Sequence, residues 1–180
     1  MLTGANKLDL ASHAIPGNKE LDLSGNPGVM DVSGDFVDWY LLTHLEELVL
    51  ANCGVTSRQL KCFAGCPPPS LKKLDLSGNR GVLDVSSGDF VDWHLLEHLE
   101  ELILANCAVT AVQMESLMEL LPGSTALLDL GSESRDATPS DALEAAGFTG
   151  HHQSGRWQRP VQHSARIAES RAGPAGCLIA

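Results

Sequence analysis

The chain has 180 residues, 43% of them hydrophobic and 19% charged, which supplies enough apolar content for a packed core and excludes wholesale disorder. Twelve basic residues against twenty-three acidic ones leave a formal net charge of -11. That balance excludes a general binder of nucleic-acid backbones, which needs clustered Lys and Arg, and 4% aromatic residues are too few for base-stacking platforms. Basic or apolar partners are expected instead.

In chain order, Leu8-Asp9-Leu10 reads as a short strand before the turn-like Pro16-Gly17-Asn18-Lys19, so residues 1–19 are expected to form an N-terminal capping segment. Leu21-Asp22-Leu23 is the next strand, its alternation turning both leucines to one side and the aspartate to the other. Residues 34–45 place Phe36, Trp39, Leu42 and Leu45 at a mostly i, i+3 spacing, which predicts a helix. A second strand comes at Leu48-Val49-Leu50, and Thr56 with Gln59 forms a capping-box pattern that starts another helix, ended by Cys66-Pro67-Pro68-Pro69. The order then recurs: a strand at Leu74-Asp75-Leu76, a helix over 88–99 with Phe90, Trp93, Leu96 and Leu99, a strand at Leu102-Ile103-Leu104, and the box Thr110 with Gln113. Leu128-Asp129-Leu130 is the last strand of this kind. Thr138-Pro139-Ser140-Asp141 then opens a short capping helix closed near Gly147, so 131–147 is expected to be a C-terminal cap. Arg156, Arg159, Arg166 and Arg171 are scattered among Gly, Ser, Gln and Pro, so 148–180 reads as a disordered basic tail.

The recurrence is a duplication. Residues 20–56 align with 73–110 at 30 identical positions of 37, with one serine inserted. Each block holds two smaller units, and the first leucines of successive strands lie 27, 26, 28 and 26 residues apart. The pattern L-x-x-L-x-L-x-x-N/C is met by Leu45, Leu48, Leu50 and Cys53, by Leu71, Leu74, Leu76 and Asn79, and by Leu99, Leu102, Leu104 and Cys107. On these residues the chain resembles leucine-rich repeat proteins, and its long units alternating Asn and Cys resemble the ribonuclease-inhibitor-like subclass. The resemblance covers roughly residues 18–130. It implies an α/β solenoid, or horseshoe, with short parallel strands on the concave face and helices on the convex one, the repeat body occupying 20–130. It also implies a ladder in which Asn26, Cys53, Asn79 and Cys107 satisfy buried backbone groups where each strand turns away.

Function is expected on the concave face. Glu20, Asp22, Glu47, Val49, Asp75, Glu101, Ile103 and Asp129 would form an acidic surface with two aliphatic side chains, suited to a protein partner with a basic and apolar surface. Asp22 and Asp75 are two strands apart, roughly 10 Å, too far to share a proton. Nothing matches a phosphate loop, a nucleophile elbow or a zinc-protease helix, so no catalysis and no cofactor are expected. Cys62 and Cys66 stand four apart on one helix, but a structural zinc site wants four ligands, so no metal is expected either. Five cysteines, no secretory leader pattern and no apolar run near the roughly 20 residues of a spanning helix point to reduced thiols in the cytoplasm. The last four residues, Cys177-Leu178-Ile179-Ala180, fit C-a-a-X, so an alternative expectation is a prenylated adaptor held at a membrane through Cys177. A further alternative is a fragment of a larger repeat protein, since only about four full units are present.

Overall fold

The computed structural model describes residues 18–30, 38–84, 88–131, 140–151 and 154–159. It is an α/β arrangement around one seven-stranded, mostly parallel sheet. The strands are β1 (Glu20–Asp22), β2 (Glu47–Val49), β3 (Lys73–Asp75), β4 (Glu101–Ile103), β5 (Leu127–Asp129), β6 (Thr149–His151) and β7 (Arg156–Gln158), in the spatial order β1-β2-β3-β4-β5-β7-β6. Strands β1 to β5 are parallel and in chain order, whereas β7 joins β5, and β6 joins β7, in antiparallel sense.

The register follows from the leucine spacing. Leu21, Leu48, Leu74, Leu102 and Leu128 stand directly beside one another. Their alternation puts them on the inner face with the second leucines Leu23, Leu50, Leu76, Leu104 and Leu130. All of these except Leu21 are buried. Each buried leucine stabilises the fold by about 1.5–3 kcal/mol relative to exposure, so this double row is the spine of the core.

Each of the first four strands ends in the same turn. Its left-handed residue is Gly25, Asn52, Gly78 or Asn106, with φ of 70°, 55°, 74° and 59°. Glycine and asparagine are the residues that adopt this region at least cost. The N–H groups of Gly25, Asn52 and Gly78 donate to the carbonyls of Ala51, Ser77 and Ala105, each at 2.8 Å, so the parallel ladder continues into the turn. A side chain at Gly78 would require the Asn52 side chain to move.

Just past the turn stands the Asn/Cys position. Asn79 donates from Nδ2 to the carbonyls of Leu50 at 2.9 Å and Leu76 at 2.7 Å, and its Oδ1 accepts from the Val55 N–H at 3.0 Å. Cys53 and Cys107 donate to the carbonyls of Leu23 and Leu76 at 3.0 and 3.1 Å. Burial raises both thiols' pKa, that of Cys107 to about 11.

Behind the sheet lie α1 (Ser57–Gly65), α2 (Ala111–Leu120) and the short α3 (Ser140–Ala145). Both expected capping boxes are formed. The Thr56 and Thr110 N–H groups donate to Oε1 of Gln59 and Gln113, and the two hydroxyl oxygens accept from the N–H of those glutamines. Leu60 and Phe63 of α1, and Met114 and Leu117 of α2, are buried against the leucine rows.

Three expectations are corrected. Among the described residues of the helices expected over 34–45 and 88–99, the chain forms single 3₁₀ turns at Trp39–Leu41 and Trp93–Leu95. In the second copy, residues 89–92 precede the turn as irregular chain, and the buried set is Val91, Trp93, Leu96 and Leu99, with Phe90 turned outward at 60% exposure. Gly88 at φ 76° and the aspartates at 89 and 92, which favour turns and caps over helix interiors, work against a longer helix; the Asp92 carboxylate caps the turn by accepting from the His94 N–H. Phe36 lies outside the described residues. The third correction concerns the expected disorder of 148–180, because residues 149–151 and 156–158 are strands. Trp157 stands beside Leu128 on the inner face and is buried, as are Phe148 and Leu143. Arg159 ties the hairpin down, donating to the carbonyls of Thr125 and Pro122 and lying 4.7 Å over the Phe148 ring. These apolar groups cover the leucine row at the β5 end, which outweighs the polar composition around them. The expected strand at 8–10 and residues 160–180, Cys177 included, lie outside the described residues.

Candidate functional site: the outer face of the sheet

Side chains alternating with the inward leucines point away from the core and form rows across the strands. One row is Glu20, Glu47, Lys73, Glu101, Leu127 and Gln158. The next is Asp22, Val49, Asp75, Ile103, Asp129 and Arg156. All eight expected residues therefore fall on one face. Glu20 and Asp22 are exposed, and the other six are half-buried.

The aspartates are fixed by the turns after them. Asp22 Oδ1 accepts from the Ser24 N–H at 2.9 Å and from the Ser24 hydroxyl, and Asp75 makes the same pair with Ser77. Asp129 Oδ1 accepts from the Gly131 N–H at 2.9 Å. The Ser24 hydrogen bonds hold the Asp22 carboxyl below its ordinary pKa. These carboxylates thus shape the turn as well as the surface potential, and one oxygen of each is already engaged.

Two cations interrupt the acidity. Lys73 Nζ lies 3.3 Å from Glu47 Oε2, and this hydrogen bond, with the charges of Glu101 and Asp75 adding to it, raises the lysine's pKa. Arg156, delivered by the hairpin, comes within 3.8 Å of Glu101. Six carboxylates against two cations leave the face acidic. Arg156 escapes sequence reading because its segment is judged on composition; the signal was Trp157 between polar Arg156 and Gln158, just after Gly155.

Beside these rows, at the start of the strands, Lys19, Glu46 and Lys72 form a chain of ion pairs at 2.6 and 3.0 Å, which holds the Glu46 carboxyl below its ordinary range. Their carbonyls each accept two N–H bonds from the next unit, so this edge is structural.

Val49 and Ile103 are half-buried on this face, since neighbouring strands flank each of them closely. Among the described residues, the exposed large apolar side chains are Tyr40, Leu41, Phe90, Leu95 and Val112, in the 3₁₀ segments and on α2 behind the sheet. There, Val82, Val91, Trp93, Leu117 and Phe90 line a shallow cleft.

Cys62 and Cys66 are exposed free thiols, and no group of three or more metal-ligating side chains occurs among the described residues. No helix among them is long and apolar enough to cross a membrane. No protein-family model matches the chain, and no curated protein matches it either.

Proposed function

We propose that the chain is a leucine-rich repeat solenoid of the ribonuclease-inhibitor-like kind that works as a non-catalytic protein-interaction module. The partner carries a basic and apolar surface and is received on the outer face of the sheet, the inner curve of such a solenoid. The observation that carries this reading is the strand register, which gathers Glu20, Asp22, Glu47, Asp75, Glu101 and Asp129 beside Val49 and Ile103 on one face of the sheet. Recurrence of the turn at Gly25, Asn52, Gly78 and Asn106 and of the Asn/Cys hydrogen bonds supports the repeat assignment. The like aspartates stand two strands apart, which suits surface recognition better than shared-proton chemistry. Free thiols at Cys53, Cys62, Cys66 and Cys107 accord with a cytoplasmic setting.

The test is capture of a partner on immobilised protein, comparing the natural chain with Asp22→Asn/Asp75→Asn and with Asp22→Lys/Asp75→Lys. Asparagine keeps an acceptor for the Ser24 and Ser77 N–H groups and removes only charge. Capture should weaken in the first variant and vanish in the second while both unfold with an unchanged cooperative transition. Intact capture by the folded lysine variant would sink the proposal.

A further inference from the structure

We infer that the partner segment is a polyproline-II stretch with a cationic side chain at every third residue, laid across the strands over the row Asp22, Val49, Asp75, Ile103 and Asp129. This inference rests on the proposed function and adds the conformation and spacing of the ligand. Strict alternation along the row puts like residues two strands apart. At roughly 4.8 Å per strand, successive aspartates repeat at about 9.6 Å. A polyproline-II helix has three residues per turn and rises about 3.1 Å per residue, so residues three apart share an edge at about 9.3 Å.

Other backbones fit less well. In a β-strand, residues on one side recur at about 6.6 Å and 13 Å, and neither matches. An α-helix presents residues seven apart at about 10.5 Å, which accumulates about 2 Å of error over three aspartates, and its diameter of about 10 Å holds its axis away from the sheet.

Two observations on the face itself bear on the chemistry. Asp22, Asp75 and Asp129 each have one oxygen pinned by the adjoining turn, so the carboxylates are preorganised and lose little freedom on binding. A guanidinium already sits on this face, because Arg156 extends the same row and reaches Glu101. Val49 and Ile103, midway between the aspartates, offer apolar surface to the stems of bound arginines and to the proline rings between them.

The test uses the full chain and three synthetic peptides of equal net charge, titrated at low salt. One is (Arg-Pro-Pro)₃, the second has the same composition with its arginines contiguous, and the third is a helical peptide with arginines seven apart. The repeating peptide should bind at least about tenfold more tightly than the other two, a factor that a few exposed ion pairs supply when all are met at once. The preference should disappear in Asp22→Asn/Asp75→Asn/Asp129→Asn, whose thermal transition shows whether the turns survive; should that variant fail to fold, Val49→Lys/Ile103→Lys, which leaves the turn hydrogen bonds intact, should abolish the same preference. Equal affinities for all three peptides, or tighter binding of the helical one, would overturn the spacing inference and leave the acidic-face reading standing. No binding by any peptide also overturns it, and the reading beneath it falls only if the lysine variant of the capture experiment retains its partner.

Discussion

Asn79→Leu is the substitution whose consequence follows most directly from the geometry. The asparagine is buried and serves three backbone groups: the Leu50 carbonyl, the Leu76 carbonyl and the Val55 N–H. Leucine serves none of them. The Leu76 carbonyl keeps the residue 79 N–H at 3.3 Å and the Cys107 thiol at 3.1 Å, so it stays satisfied. The Leu50 carbonyl and the Val55 N–H have no other hydrogen-bond partner among the described residues. Leaving a buried polar group unpaired costs about 1–3 kcal/mol, so two of them predict a loss of about 4 kcal/mol. In a domain of this size that lowers the thermal midpoint by roughly 10 °C. The chain supplies its own control, because cysteine fills the equivalent place at 53 and 107 and donates to the equivalent carbonyl. Asn79→Cys should keep the Leu50 bond, orphan only the Val55 N–H and lose about half as much. Urea unfolding followed by far-UV circular dichroism measures both. An Asn79→Leu protein within about 1 kcal/mol of the natural chain, or an Asn79→Cys protein as damaged as the leucine one, would refute the reasoning.

The C-terminal hairpin should behave as part of the same cooperative unit. Trp157→Ala, which empties a buried site beside Leu128, is expected to cost about 3–5 kcal/mol, and a change under about 1 kcal/mol would mean that the hairpin is peripheral. Thr56→Ala and Thr110→Ala each remove one capping box and should each cost about 1 kcal/mol by urea titration. Thiol labelling of the native protein near pH 8, mapped by mass spectrometry, should modify Cys62 and Cys66 rapidly and spare Cys53 and Cys107 until unfolding; equal rates would contradict the burial of the ladder thiols. Stability should also fall in alkali. The Cys107 thiol ionises near its ordinary 9.0 when unfolded but near 11 when folded, so between those values the unfolded chain binds fewer protons and each rise in pH favours it. Cys107→Ser should flatten the decline of the urea midpoint between pH 9 and pH 11, and an unaltered slope would assign it to other groups.

The sequence by itself determined the parts of the fold that depend on local pattern and period. Leucine alternation set the strands and their register, because shifting the pairing by one residue would turn a buried row into water. Thr-x-x-Gln started α1 and α2, and the shared phase of Asn79 with Cys53 and Cys107 announced the buried hydrogen bonds. The outer face was legible for the same reason: whatever alternates with an inward leucine must point outward.

Tertiary structure decided what periodicity leaves ambiguous. Phe90, Trp93, Leu96 and Leu99 satisfy a helical spacing on paper, yet among the described residues of 88–99 the chain forms one 3₁₀ turn, with Val91 buried in place of Phe90. Residues 148–159 are polar enough to read as disordered, yet the leucine row at β5 needs a cover, and Leu143, Phe148 and Trp157 supply it. That closure brings Arg156 to Glu101 and places a cation on a face that the strand residues alone make more acidic. The double duty of Asp22 and Asp75, surface charge and turn acceptor at once, depends on the positions of Ser24 and Ser77 in the folded turn and becomes visible only there.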